Sequence, residues 1–243
     1  MRNIRMIALT VLAVSVCVCV VADDPGRQAY KDGQYGQALE YYTAVLNEQG
    51  PSADVYFNMA NCMLKMREPG RAIAYYKRAL WFAPRDQDIR ANLKRAYQQA
   101  GTDDPDQRGL FAEFCLYWHH GLSMKESWFT AVALYGSGVF LICLWFVRRR
   151  RVLIRAAVLL ISAAAIFSGS VIVKYSHRQY PDRGVVIADK AAVYSGKGMD
   201  YSRILQIKEG TILRILEQEE KWCKILAGKS KKGWISAEDI ILY

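Results

Sequence analysis

A chain of 243 residues has room for one large domain or two small ones, and its formal net charge of +10 invites a nucleic-acid reading. The position of that charge argues against one. Residues 128–182 carry seven basic groups and one acidic group, and the four arginines at 148–151 with Arg155 lie wedged between apolar blocks. Neither polar stretch has the concentrated basic face that neutralises many phosphates, so no nucleic-acid partner is expected. The six cysteines have no paired spacing: Cys17, Cys19 and Cys143 fall in apolar blocks, and Cys62, Cys115 and Cys223 are scattered. They read as small buried apolar residues, not as a disulfide framework or a metal site.

In chain order, Arg2 and Arg5 precede an apolar run at 7–21. Val20-Val21-Ala22 then meets Asp23-Asp24, the layout of a secretory signal peptide over residues 1–22. Val16 before Cys17 weakens a lipoprotein reading. Whether the segment is cleaved or kept as an anchor, it places the residues after it outside the cytoplasm.

Residues 23–101 match themselves at an offset of 34. Ala38-Leu39 recurs as Ala72-Ile73, Tyr41-Tyr42 as Tyr75-Tyr76, and Val45-Leu46 as Ala79-Leu80, with Pro51 and Pro84 closing the units. Small and aromatic residues alternate at helical spacing, so the helices of a hairpin approach closely while rings fill the gaps. This resembles the tetratricopeptide repeat, here two units followed by a capping helix at 87–100 with Ile89, Leu93, Ala96 and Tyr97 on one face. Gly33 fills the inter-helix turn of the first unit, while Arg67 and Pro69 make that of the second atypical. The resemblance implies a concave face bearing Asn61, Lys65, Asn92 and Arg95, to grip an extended peptide or an acidic chain end; as surface residues they are equally compatible with plain solvation. The Tyr pairs read as core.

Residues 102–127 form a linker in which Leu110, Phe111, Phe114, Cys115, Tyr117 and Trp118 suggest a short helix on a membrane surface. Cys115, His119 and His120 lack a recognised metal-ligand spacing. Residues 128–147 are uncharged for 20 positions, enough to cross a hydrocarbon core as a helix, with Ser123 and Glu126 as a capping box at the start. A second span is expected at 152–173, with Arg155 snorkelling back to the interface. The loop at 148–151 is expected on the cytoplasmic side, which sends both polar domains outward. A linker at 174–183 leads out of the second span.

From residue 184 to 243 the texture becomes short β-rich runs broken by Gly. Five strands are expected, at 184–187, 192–194, 211–216, 221–226 and 233–235. The Val-Tyr-Ser-Gly segment at 193–196, Glu209-Gly210-Thr211 entering a strand, Trp222 and then Gly233-Trp234-Ile235 resemble a bacterial SH3 domain. That resemblance implies an aromatic-lined peptide groove, with Tyr194, Tyr201, Trp222 and Trp234 as candidates and Trp222 the one that could be buried. Glu217, Glu219 and Glu220 read as a solvated hairpin.

The fold class is therefore a multidomain membrane protein: all-α tetratricopeptide-repeat hairpins, a two-helix transmembrane hairpin and a small all-β SH3-like barrel. The whole order resembles the BatE-type proteins of bacterial aerotolerance operons. That resemblance implies an inner-membrane location, with an AAA-type ATPase of the MoxR class and von Willebrand A-domain membrane proteins as neighbours. The sequence holds no nucleophile–base arrangement, phosphate loop or metal spacing, so no enzyme activity, cofactor or metal is expected. Two functions remain: a scaffold that binds partner proteins, or a cell-wall binding or sensing protein that reads murein peptides through the SH3 domain.

Overall fold

The computed structural model describes residues 24–104, 119, 121–179, 182–227 and 231–243. The expected signal peptide and the interfacial run at 110–118, with Cys115, lie outside the described residues, as does His120.

Five helices form the first module: α1 (Pro25–Lys31), α2 (Tyr35–Gln49), α3 (Ala53–Lys65), α4 (Pro69–Phe82) and α5 (Gln87–Ala100). Asp24, Ser52 and Asp86 cap α1, α3 and α5, each accepting bonds from free backbone N–H groups of the first turn. The 34-residue offset is a spatial repeat. Gly26 and Ala60 occupy equivalent positions where a ring of the paired helix passes: a Cβ on Gly26 would lie 2.8 Å from the Tyr42 ring, and Tyr76 is the Tyr42 equivalent. Both tyrosines are buried. The turns repeat too. Gly33 has φ +77° and Arg67, 34 residues on, has φ +62°, so the second unit places a side chain where the backbone favours glycine. Ile89, Leu93, Ala96 and Tyr97 of α5 close the core, and Gly101 ends that helix in the left-handed region.

Two long helices follow, α6 (Met124–Arg148, 25 residues) and α7 (Arg151–Gln179, 29 residues). Both are long and apolar enough to cross a membrane. The Ser123–Glu126 capping box is formed, with Ser123 and Glu126 each satisfying the other's backbone N–H. Small residues line the seam of the hairpin: Ser127, Ala131 and Gly138 of α6 face Ala157, Ala164 and Ser170 of α7. At Gly138 a Cβ would come within 2.7 Å of Ile161. At the seam's end opposite the turn, Lys174 Nζ donates to Ser127 Oγ (2.7 Å) and to the Leu122 carbonyl (2.9 Å). Arg149, at φ +53°, makes the tight turn between the helices, and its guanidinium lies 5.3 Å from the Trp145 ring centroid. Most large apolar side chains of both helices, such as Phe129, Phe140, Leu159 and Ile172, point outward.

The third part is an antiparallel sheet of β1 (Arg183–Val186), β2 (Lys190–Tyr194), β3 (Arg203–Lys208), β4 (Ile212–Gln218), β5 (Trp222–Ala227), β6 (Lys231–Ser236) and β7 (Ile240–Leu242), in the order β3-β2-β6-β5-β4-β1-β7. Val193, Ile235, Cys223 and Ile225 alternate inward to form its core. Among the described residues, seven strands replace the five expected. β3 reads Arg-Ile-Leu-Gln-Ile-Lys, whose Ile204-Leu205 pair breaks a period of two. β7 is three residues long and finds its place only by pairing with β1.

The two polar stretches, far apart in sequence, share a core. Val185 of β1 and Tyr243 belong to the same buried cluster as Ile73, Ala74 and Tyr97, with Ile212 and Ile241 packed against it. The α4 face that makes this joint carries Gly70, Ile73 and Ala74, spaced i, i+3, i+4. Gly70 N–H donates to Glu209 Oε1 at 2.8 Å, and Arg78 donates to the Leu242 carbonyl at 2.6 Å. The fit is close: a Cβ on Gly70 would lie 2.5 Å from the Val186 carbonyl oxygen, and one on Gly210 2.7 Å from Ala100 Cβ.

Candidate functional site

Two faces of this body carry the side chains singled out from sequence. On the repeat module, α3 and α5 place Asn61, Asn92 and Arg95 in one hydrogen-bonded row. The Tyr76 hydroxyl donates to Asn61 Oδ1 at 2.5 Å, Asn92 Nδ2 donates to the same oxygen at 3.2 Å, and Arg95 donates to Asn92 Oδ1 at 3.0 Å. Burial pushes the Tyr76 phenol above its ordinary range, so it stays protonated and remains a donor. With both lone pairs of Asn61 Oδ1 filled, Asn61 has only N–H groups left to offer, and the exposed Arg95 guanidinium adds its remaining donors and a positive charge. Such a face suits carboxylates and peptide carbonyls. Lys65, one helical turn beyond Asn61 on the same face of α3, is exposed and takes no part in these three hydrogen bonds.

On the sheet, register sets the second face. Tyr194 of β2 pairs with Trp234 of β6, Trp234 with Lys224 of β5, and Lys224 sits beside Glu217 of β4. Four side chains thus stand in a row across four strands on the side opposite the core. Trp222, two residues before Lys224, is on the same side, half-buried rather than in the core, with its ring 5.7 Å from that of Tyr194 and perpendicular to it. Lys197 and Lys224 hold their ammonium groups 4.7 Å and 5.5 Å from the Trp234 ring centroid. Each also has an acidic partner, Glu219 for Lys197 and Glu217 for Lys224 (2.6 Å). Tyr201 is elsewhere on the loop before β3, its ring lying over Gly196 and Gly198.

The structure therefore brings Tyr194, Trp222 and Trp234 together and leaves Tyr201 on the adjoining loop. The lysines over Trp234 were not singled out from sequence. For Lys224 the signal was the alternation Trp222-Cys223-Lys224-Ile225, which puts the Trp and the Lys on one side once Cys223 and Ile225 are known to be inside. For Lys197 there was none, because it arrives from a turn. Two of the three glutamates of the expected solvated hairpin are the lysines' partners.

Residues 29–80 match the family described as Tetratricopeptide repeat, and residues 189–241 match that described as Bacterial SH3 domain. Over 116 residues the chain is 32% identical to the photosystem I assembly protein Ycf3 of Prochlorococcus marinus strain NATL2A. It is 31% identical to that of strain NATL1A over the same length. Each alignment takes in 46% of this chain, and the chain spans 65% of the length of these curated relatives.

Proposed function

We propose that this chain is a non-enzymatic scaffold of a bacterial inner membrane, anchored by α6 and α7, with its repeat and SH3 modules outside the cytoplasm and the arginine turn inside. There the two modules bind protein partners of a Bat-type membrane complex concerned with aerotolerance and envelope stress: von Willebrand A-domain membrane proteins linked to a MoxR-type ATPase. The observation that carries this reading is the joint between the modules. A donor row suited to carboxylates and peptide carbonyls, and a row of aromatics and lysines, sit on one body whose two faces are held together, so a partner bound at one raises its own local concentration at the other. Four arginines in the tight turn favour a cytoplasmic loop. Similarity to a relative named for an assembly role supports the assembly reading. The test is cross-linking of tagged protein in intact membranes, comparing wild type with Arg95→Glu. The scaffold reading expects a protein adduct that the charge reversal removes; recovery of the monomer alone refutes it.

A second reading has its own observation. The aromatic row, flanked by the Lys197–Glu219 and Lys224–Glu217 pairs, suits short peptides that carry both amino and carboxyl groups, such as those of murein, and similarity to the bacterial SH3 domain points the same way. Retention of the full-length protein on purified murein, lost in Trp234→Ala, supports it; no retention counts against it.

A further inference from the structure

The joint between the modules holds a group of ionisable side chains that neither recognition face uses. Glu209, in the turn before β4, points its carboxylate at the first turn of α4, a helix whose own N-cap residue, Glu68, makes no side-chain cap. Glu209 caps it instead, through the bond to Gly70 N–H, so an SH3 side chain completes a helix of the repeat module. Charged groups face this carboxylate from each side: Glu68 before α4, Arg71 on α4 and Asp189 in the turn between β1 and β2. Glu68 Oε2 is buried, accepts no hydrogen bond, and lies 3.5 Å from Arg71 Nε. Three carboxylates and one guanidinium thus meet at a partly buried seam. The backbone at Glu209 is also fixed, its N–H donating to the Asp189 carbonyl at 3.2 Å.

We infer that this joint is acid-tightened: protonation at the Glu209 cluster strengthens docking of the SH3 module onto α4, and deprotonation loosens it.

Burial raises the Glu209 carboxyl above the ordinary glutamate range, and the like charges of Asp189 and Glu68 push the same way, against the Gly70 hydrogen bond and Arg71, which lower it. The docked state therefore keeps its proton to higher pH than the undocked state. The resulting gain in docking is fully present below the undocked carboxyl's range and is lost as pH rises through the docked value. For a protein with its modules outside the cytoplasm, the surrounding medium sets that proton concentration directly.

The test is hydrogen–deuterium exchange of the full-length protein in lipid nanodiscs, read as protection relative to intrinsic exchange at about pH 7.5 and about pH 5. Peptides covering residues 69–74 and 209–213 report the joint, with 55–63 of α3 as internal reference. The wild type should show a several-fold rise in joint protection on acidification, while Glu209→Gln, which keeps an acceptor for Gly70 but cannot ionise, should be flat. Glu68→Gln should show a reduced rise, and carries the test alone if Glu209→Gln does not fold. A flat or falling profile in the wild type, the same rise in Glu209→Gln, or an undiminished rise in Glu68→Gln overturns the proposal.

Discussion

Replacing Gly70 by alanine separates a docked joint from two independent modules by the sign of the effect. Within an isolated helix the change is favourable: alanine loses less conformational freedom than glycine, and the gain is about 0.5–1 kcal/mol. In the structure, the new Cβ would lie 2.5 Å from the Val186 carbonyl oxygen and 2.7 Å from Glu209 Cγ. The first is a backbone atom of β1 and cannot swing aside, so helix and strand must part by several tenths of an ångström. That motion lengthens the Gly70–Glu209 bond of 2.8 Å and loosens the packing of Ile73, which is fully buried. Overpacking of this kind costs about 1–3 kcal/mol, which exceeds the propensity gain. The expected net effect is destabilisation of about 1–2 kcal/mol, read by pulse proteolysis in urea of the full-length protein in detergent, following fragments of both modules. A stabilised Gly70→Ala variant, or one that alters the repeat module alone, would refute a shared core.

Asn61→Ala removes the acceptor of the buried Tyr76 hydroxyl, and urea unfolding should show a loss of about 1–3 kcal/mol. Arg67→Gly relieves a side chain at φ +62° and should stabilise the repeat module by about 1 kcal/mol in the same assay. Arg85→Ala breaks the ion pair with Glu126, but both side chains are substantially exposed, so stability should change by less than about 1 kcal/mol. The Cys62 thiol is pushed up to about 11 by burial, so it stays protonated at neutral pH. Maleimide labelling mapped by mass spectrometry should leave Cys62 unmodified in the folded protein up to about pH 9 and modify it only on unfolding.

Much of this architecture was legible because it rests on local periodicities. The offset of 34 placed Tyr42 and Tyr76 in equivalent core positions and paired Gly33 with Arg67, which share a positive φ. Ser123 and Glu126 announced a capping box because both partners lie within one turn. The joint was not legible: Gly70, Ile73 and Ala74 satisfy a helix-hairpin pattern on their own, and nothing near them in sequence reveals that β1 and β7 cover that face. The row on the sheet was half legible. Aromatic residues marked Tyr194, Trp222 and Trp234, but that the first two touch while Lys197 and Lys224 flank Trp234 is a matter of register between strands and of a turn's path. Tyr201 fitted the same composition argument, and the loop carries it onto Gly196 instead. On the repeat module, Asn61, Asn92 and Arg95 assemble because α3 and α5 are neighbours, while Lys65, one turn beyond Asn61, is exposed and outside those hydrogen bonds.

The central claim, that one body presents two recognition faces to one partner, is tested most directly by site-specific photo-crosslinking in living cells. A photoreactive residue is placed singly at position 95 or at position 234, and the adducts are identified by mass spectrometry. The account predicts that both positions capture the same membrane-associated protein. Adducts at position 234 consisting of murein fragments alone, with no protein adduct at position 95, would contradict it.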